Sequence, residues 1–156
     1  MAYVEPKPTP INIAIDGPAG AGKSTVARLV AQELGYVYID TGAMYRSVAW
    51  KVLEAGIPVQ ETDAIAELAR KTDIQLLPGS DKQQVLIDGE DRTEEIRSLQ
   101  VSRIVSHISQ IEGVREHLVR LQQRLAARKG VVMDGRDIGT RVLPDAELKI
   151  FLTASV

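Results

Sequence analysis

Ile11-Asn12-Ile13-Ala14-Ile15-Asp16-Gly17-Pro18-Ala19-Gly20-Ala21-Gly22-Lys23-Ser24-Thr25 is the stretch whose reading decides the fold. The run from Gly17 to Thr25 satisfies the pattern G-x-x-x-x-G-K-[ST]. The apolar segment Ile11–Ile15 before it reads as a buried strand, and Thr25–Leu34 after it as a helix, with Gly35 a C-cap candidate. Strand, glycine-rich turn and helix in that order are the context in which this pattern denotes a loop for nucleoside-triphosphate phosphates.

Each residue type in the loop has a physical reason. Gly17, Gly20 and Gly22 open backbone angles closed to other residues, so successive N–H groups can converge on phosphate oxygens as an anion nest. The free N–H groups opening the following helix add partial positive charge at the same point. Lys23 is expected to reach the terminal phosphates, and Ser24 to offer its hydroxyl to Mg2+. Pro18, Ala19, Ala21 and Thr25 complete the expected phosphate-binding set.

Working outward, the 156-residue chain suits one domain. Its 19 basic and 21 acidic residues nearly balance, which argues against a general nucleic-acid or membrane-surface binder. The absence of cysteine excludes disulfides and thiolate metal sites and fits the cytosol. No apolar run approaches the roughly 18 residues of a membrane span. Met1–Pro10 reads as a loose lead-in to the first strand rather than a signal peptide.

Tyr36–Ile39 reads as a second strand ending in Asp40, and Tyr45–Ala55 as a helix ended by Gly56 and Pro58. This βαβα order predicts an α/β fold, a parallel sheet with helices on both faces. Residues 60–110 interrupt the rhythm as an insertion with its own small antiparallel sheet. Thr62–Lys71 reads as a helix, and Ile74–Leu77 and Gln84–Ile87 as strands separated by a turn at Pro78-Gly79-Ser80-Asp81. Asp88-Gly89 reads as a hairpin turn, Thr93–Arg97 as a helical turn and Gln100–Gln110 as a helix. The core resumes over 111–156: Val114, Leu118, Leu121 and Leu125 share a helical face, Gly130 ends that helix, Val131–Met133 is a strand followed by Asp134, and Leu148–Leu152 is another.

Asp40 and Asp134 both follow core strands, where the carboxyl ends of a parallel sheet line the ligand crevice. A strand followed by Asp is the layout of an acid that helps hold Mg2+, and Asp134 is the better candidate. Helix capping is the plainer alternative for either acid. Arg46 is placed to fork onto a second phosphate. Arg115 opens a helix, where a cation opposes the dipole and hints at an anion nearby. Arg136 with Asp137 reads most simply as a local ion pair, Ser106 as a hydroxyl bonded back to its own helix, and His107 and His117 as surface residues. Trp50, Tyr36, Tyr38 and Tyr45 read as packing groups.

Three blocks, Ile15 to Ser24, Asp40-Thr41-Gly42-Ala43-Met44-Tyr45-Arg46 and Asp134-Gly135-Arg136-Asp137-Ile138-Gly139-Thr140, together resemble the bacterial cytidylate kinases. Asp88-Gly89-Glu90-Asp91, Glu95-Ile96-Arg97, Pro144-Asp145-Ala146 and Lys149–Leu152 extend the resemblance from Ile11 to Ser155. It implies a phosphate-loop nucleoside monophosphate kinase fold in which 60–110 is an inserted monophosphate-binding subdomain. It implies transfer of the γ-phosphoryl group of ATP to CMP or dCMP with Mg2+. Gly17 to Thr25 would bind ATP. Thr41, Arg46, Ser106, Arg115, Arg136 and Asp137 would serve the CMP side, with Arg46 on its phosphate and Asp137 at the sugar. Lys23, Asp134 and Asp137 would be catalytic, with Ser24 and Asp134 at the metal, directly or through water.

The resemblance also implies continuation beyond Val156 into an arginine-rich lid and a last strand. The expectation is therefore a C-terminally incomplete chain of impaired activity. The alternatives are a nucleotide-binding fragment without turnover, or another small-molecule phosphate-loop kinase. The expected partners are ATP, CMP and dCMP, with no nucleic acid and no membrane, for a cytoplasmic monomer.

Overall fold

The computed structural model describes residues 8–78 and 82–153. Residues 1–7 of the expected lead-in, and Gly79, Ser80 and Asp81 of the expected turn, lie outside the described residues. Four parallel strands, β1 (Asn12–Asp16), β2 (Val37–Asp40), β6 (Val131–Gly135) and β7 (Leu148–Phe151), pair in the order β2-β6-β1-β7. Helix α1 (Lys23–Leu34) covers one face, and α2 (Thr41–Ala55) with α5 (Glu112–Leu125) covers the other.

Strand alternation explains the two faces. Ile13, Ile15 and Val132 point toward α1, whose buried residues are only Ala27 and Ala31. Ala14, Ile39, Val131 and Met133 point the other way, into a core with Met44, Val48, Val52, Val114 and Leu118. The same period of two carries Tyr38, Asp40 and Asp134 onto the α1 face, beneath the phosphate loop.

Segment 60–110 contains α3 (Thr62–Lys71), an antiparallel sheet of β3 (Ile74–Leu77), β4 (Gln84–Ile87) and β5 (Glu90–Asp91), a 3-10 turn at Glu95–Arg97, and α4 (Leu99–Gln110). Asp88 and Gly89 turn the β4–β5 hairpin with φ of 51° and 83°, the left-handed pair that a two-residue hairpin favours. The small sheet packs Val85 and Ile87 with Ile96 and Ala43. The helices do not form a core of their own: Ile65, Ala69, Val101 and Ile108 join the cluster that holds Ala14 and Met133.

Several boundaries differ from the sequence reading for identifiable reasons. Helix α2 begins at Thr41 rather than Tyr45, because the Asp40 side chain accepts the Ala43 N–H at 3.0 Å and caps it. Gly42, read as part of a loop, is inside the helix. Leu29 is apolar yet 60% exposed, since Ala27 and Ala31 are the residues of α1 that are buried. On α5 the buried line is Val114, Leu118 and Gln122, a strict four-residue spacing, while Leu125 is 47% exposed. The helix ends at Leu125, five residues before Gly130. Asp134 lies within β6 rather than after it.

At the end of β6, a Cβ added to Gly135 would collide with Thr41 Oγ1 and crowd Ile138. The Thr41 hydroxyl donates to the Asp134 carbonyl at 2.8 Å and needs that space. Gly135→Ala is expected to lose about 1–3 kcal/mol of stability. Urea unfolding should show a lower midpoint at an unchanged slope; an unchanged midpoint would contradict this packing.

Candidate functional site

The phosphate loop leaves β1 at a point of close backbone approach. Gly17 has φ 149°, and a Cβ there would collide with the Leu152 carbonyl oxygen. The Leu152 N–H donates to the Asp16 carbonyl at 2.8 Å, pinning the end of β1 to the chain just after β7. Gly20 and Gly22 have φ of 83° and 82° with open space around them, so conformation rather than room selects glycine. Gly22 caps α1 without a side-chain hydrogen bond, and the first helical bond runs from Val26 N–H to the Gly22 carbonyl. The N–H groups of Lys23, Ser24 and Thr25 therefore have no acceptor within the helix and open toward the loop. Pro18, Ala19, Gly20, Gly22, Ser24 and Thr25 are exposed, while Ala21 folds its N–H onto the Pro18 carbonyl. Lys23 Nζ donates to the same carbonyl at 3.2 Å, arching over the loop.

Two acids, Asp16 and Asp40, end their strands, and a third, Asp134, stands one residue before the end of β6. Asp16 accepts the N–H groups of Ile138 and Gly139 at 2.7 and 2.8 Å, at the start of a short π-type helix, Ile138–Val142. Hydrogen bonds to a charged acceptor contribute about 1.5–3 kcal/mol each. Asp40 caps α2. Asp134 lies opposite Asp40 in β2 and opposite Ile15 in β1, and is only 3% exposed. Its Oδ2 accepts the Tyr38 hydroxyl at 3.0 Å, whereas its Oδ1 is buried without a partner.

Burial, reinforced by the Asp40 carboxylate, raises the Asp134 carboxyl to about 7. The Tyr38 hydrogen bond and the Lys23 ammonium pull the other way. Burial first, then Asp40 and Asp134, pushes the Tyr38 phenol well above its ordinary value. A buried acceptor with no partner, under the influence of both the Asp40 carboxylate and the Lys23 ammonium, has the chemistry that a divalent cation takes. Asp134, with the exposed Ser24 hydroxyl at the start of α1, is a donor set of the oxygen-only kind that Mg2+ takes.

The acceptor-side candidates lie on α2, α4 and α5. Arg46 sits in the second turn of α2, because the helix begins at Thr41 rather than Tyr45, and its Nη1 donates to Ser102 Oγ at 3.0 Å and to the Ile96 carbonyl at 3.4 Å. Arg115 is half-buried in the first turn of α5, and its guanidinium charge partly offsets the burial that raises the Tyr45 phenol. Ser106 is exposed on α4. Arg136 and Asp137 are exposed, and no ion pair joins them among the described residues. Asp137 instead takes a left-handed φ of 59° as the residue before the π-type helix. The Thr41 hydroxyl is committed to the Asp134 carbonyl, which ties the expected acceptor residue to the metal candidate.

Sequence reading missed four contributors. Asp16 was only a motif letter, yet it holds the Ile138–Val142 turn. Tyr38 was read as packing, although it stands two residues before Asp40 and so shares its face. Ser102 and Gln83 carried no signal, because their partners come from distant segments. His107 is exposed, as expected, and its Nε2 donates to the Val59 carbonyl at 2.8 Å.

A parallel sheet whose first strand feeds an amide-lined loop at a helix start, with a buried acid on the neighbouring strand, defines a phosphate-loop nucleotide-binding protein of the nucleoside monophosphate kinase type. The sequence pattern of the family described as Cytidylate kinase matches residues 13–156. The chain belongs to the cytidylate kinase family. It is 61% identical to a cytidylate kinase of Caldicellulosiruptor saccharolyticus, over 93% of this chain and 64% of that protein. A cytidylate kinase of Pelotomaculum thermopropionicum is 58% identical over 92% and 64%, and one of Bacillus subtilis 52% identical over 94% and 65%. The chain thus spans a little under two thirds of the length of these relatives.

An unfolded chain ionises the Asp134 carboxyl near pH 4, the folded one near pH 7. Across that window the folded state holds the proton more tightly, so stability from this group is greatest below it and lost as pH rises through it. Without Mg2+, Asp134→Asn should be more stable than the parent by about 1–3 kcal/mol at about pH 8 and nearly equal at about pH 4. Thermal melts across pH check this; a variant no more stable at the higher pH would contradict an uncompensated buried charge.

Proposed function

We propose that this chain serves ATP-dependent phosphorylation of CMP and dCMP to CDP and dCDP. The observation that carries the reading is the orphaned Asp134 Oδ1, buried at the sheet end beneath an amide-lined loop. The names of the relatives, cytidylate kinases at 52–61% identity, support the substrate class.

In this reading the N–H groups from Gly17 to Thr25 and the Lys23 ammonium hold the ATP phosphates. The Lys23 side chain swings from the Pro18 carbonyl to a terminal phosphate, exchanging a neutral acceptor for a charged one. Ser24 and Asp134 would hold Mg2+, directly or through water; when bound it neutralises charge developing on the β- and γ-phosphate oxygens. Segment 60–110 is the proposed monophosphate-binding subdomain. Arg46 grips the CMP phosphate, Arg115 stands near the same group, and Ser106 and Arg136 line the cytidine side. Asp137 accepts from the sugar hydroxyls, and Thr41 holds the floor between the two sites. Transfer is in line with no covalent enzyme intermediate, so catalysis is positioning and charge stabilisation. The partners are soluble nucleotides, for a cytoplasmic monomer; among the described residues no helix is long and apolar enough to cross a membrane.

ADP formation with CMP, dCMP, UMP and AMP tests this, and CMP performing no better than AMP would overturn the substrate assignment. Binding of ATP with no turnover on any monophosphate would reduce the reading to nucleotide binding. Lys23→Ala should lower turnover or ATP affinity about 100-fold with the fold retained; unchanged ATP affinity and rate would remove the loop from its role. Arg46→Ala should raise the KM for CMP about 10- to 100-fold while ATP shifts little. Equal weakening of both substrates would take Arg46 off the acceptor side.

A further inference from the structure

Among the described residues β2 pairs only with β6, so its outer edge is the open edge of the parallel sheet on that side. One side chain fills it. Gln83 is 7% exposed and stands just before β4 in the inserted segment. Its Nε2 donates to the Tyr38 carbonyl at 2.6 Å, and its Oε1 accepts the Asp40 N–H at 3.2 Å. That is the pair of bonds one residue of a parallel neighbour strand would make opposite Ile39. A carboxamide carries its donor and its acceptor side by side, as a peptide group does.

The two backbone groups it holds lead to different places. Tyr38 sends its hydroxyl to Asp134 Oδ2 and so leaves Oδ1 as the free oxygen. Asp40 caps α2, the helix that carries Arg46. We propose that Gln83 is a positioning residue: its side-chain amide serves as a one-residue strand that fixes the end of β2, and with it both the free oxygen of Asp134 and the start of the Arg46 helix. The proposal rests on the phosphotransfer reading above for what those two ends bind. It assigns to the inserted segment a second task, the alignment of the donor and acceptor sides from one point.

The test compares the parent chain with Gln83→Ala and Tyr38→Phe. Amide hydrogen exchange by NMR reads the clamp itself. In Gln83→Ala the Asp40 amide should exchange at least 10-fold faster, while Val132 and Met133 in β6 stay as they were. Titration calorimetry with Mn2+·ATP and separately with CMP should show both affinities reduced several-fold in Gln83→Ala. In Tyr38→Phe only the Mn2+·ATP affinity should fall. An unchanged Asp40 exchange rate overturns the proposal. So does faster exchange with either affinity unaltered, which would leave Gln83 a local structural contact. A parent chain that binds neither Mn2+·ATP nor CMP sinks the phosphotransfer reading instead, and the exchange rates then decide alone whether Gln83 holds β2.

Discussion

Three acids at or next to the ends of three adjacent parallel strands are the constraint around which this end of the molecule is organised. Asp40, Asp134 and Asp16 lie on β2, β6 and β1, which are neighbours in the sheet. Asp40 and Asp134 share one face and Asp16 the other, and each acid is unfavourable at this end of the sheet unless it finds donors or sheds its charge. Asp16 is satisfied by the amides of Ile138 and Gly139, and Asp40 by the first turn of α2. Helix starts supply both solutions, because their free N–H groups and dipole favour an anion. Asp134 has only a phenol on one oxygen, and it is the acid whose protonation is shifted upward. The sheet therefore leaves one acid incompletely satisfied, near enough to Lys23 of the loop for the ammonium to lower its pKa.

Much of this was legible in the sequence because it is local. The loop pattern between an apolar strand and a helix gave the ligand class, and α3, β3 and β4 fell on the residues that periodicity and turn signals had marked. The start of α2 was misjudged because Gly42 suggests a loop, while the Asp40 cap outweighs one unfavourable glycine of about 1 kcal/mol. The line of leucines on α5 was followed too far; Gln122 takes the buried place, its amide against the Met44 sulfur at 3.7 Å. Contacts such as Tyr38 to Asp134, Arg46 to Ser102 and Gln83 to β2 join residues 43 to 96 positions apart. No spacing rule sees across such distances.

The inserted segment also shows why a boundary in sequence is not a boundary in packing. Its small sheet has its own apolar cluster, and Arg92 lies 4.9 Å from the centre of the Trp50 ring, a cation–π contact back to α2. Its helices share the main core, with Ile65 and Val101 in the same cluster as Met133. Gly113 is needed where α5 crosses α3, for a Cβ there would strike Ala66 at 2.6 Å. The segment is thus bonded to the sheet edge, to α2 and to α5. Any motion of the acceptor side must be felt at the carboxyl ends of the strands.

Helix α1 buries just two residues against the sheet, Ala27 and Ala31, with Val26 and Val30 partly buried at their sides. The height of its amino end above the acids is therefore gauged by the thinnest side chain that still has a Cβ. Enlarging either alanine would lift the whole rod and tilt its free amides away from the carboxylates, although neither residue approaches the loop's ligand. Affinity for a phosphate can in this way be tuned from the far side of the helix, by the thickness of a spacer.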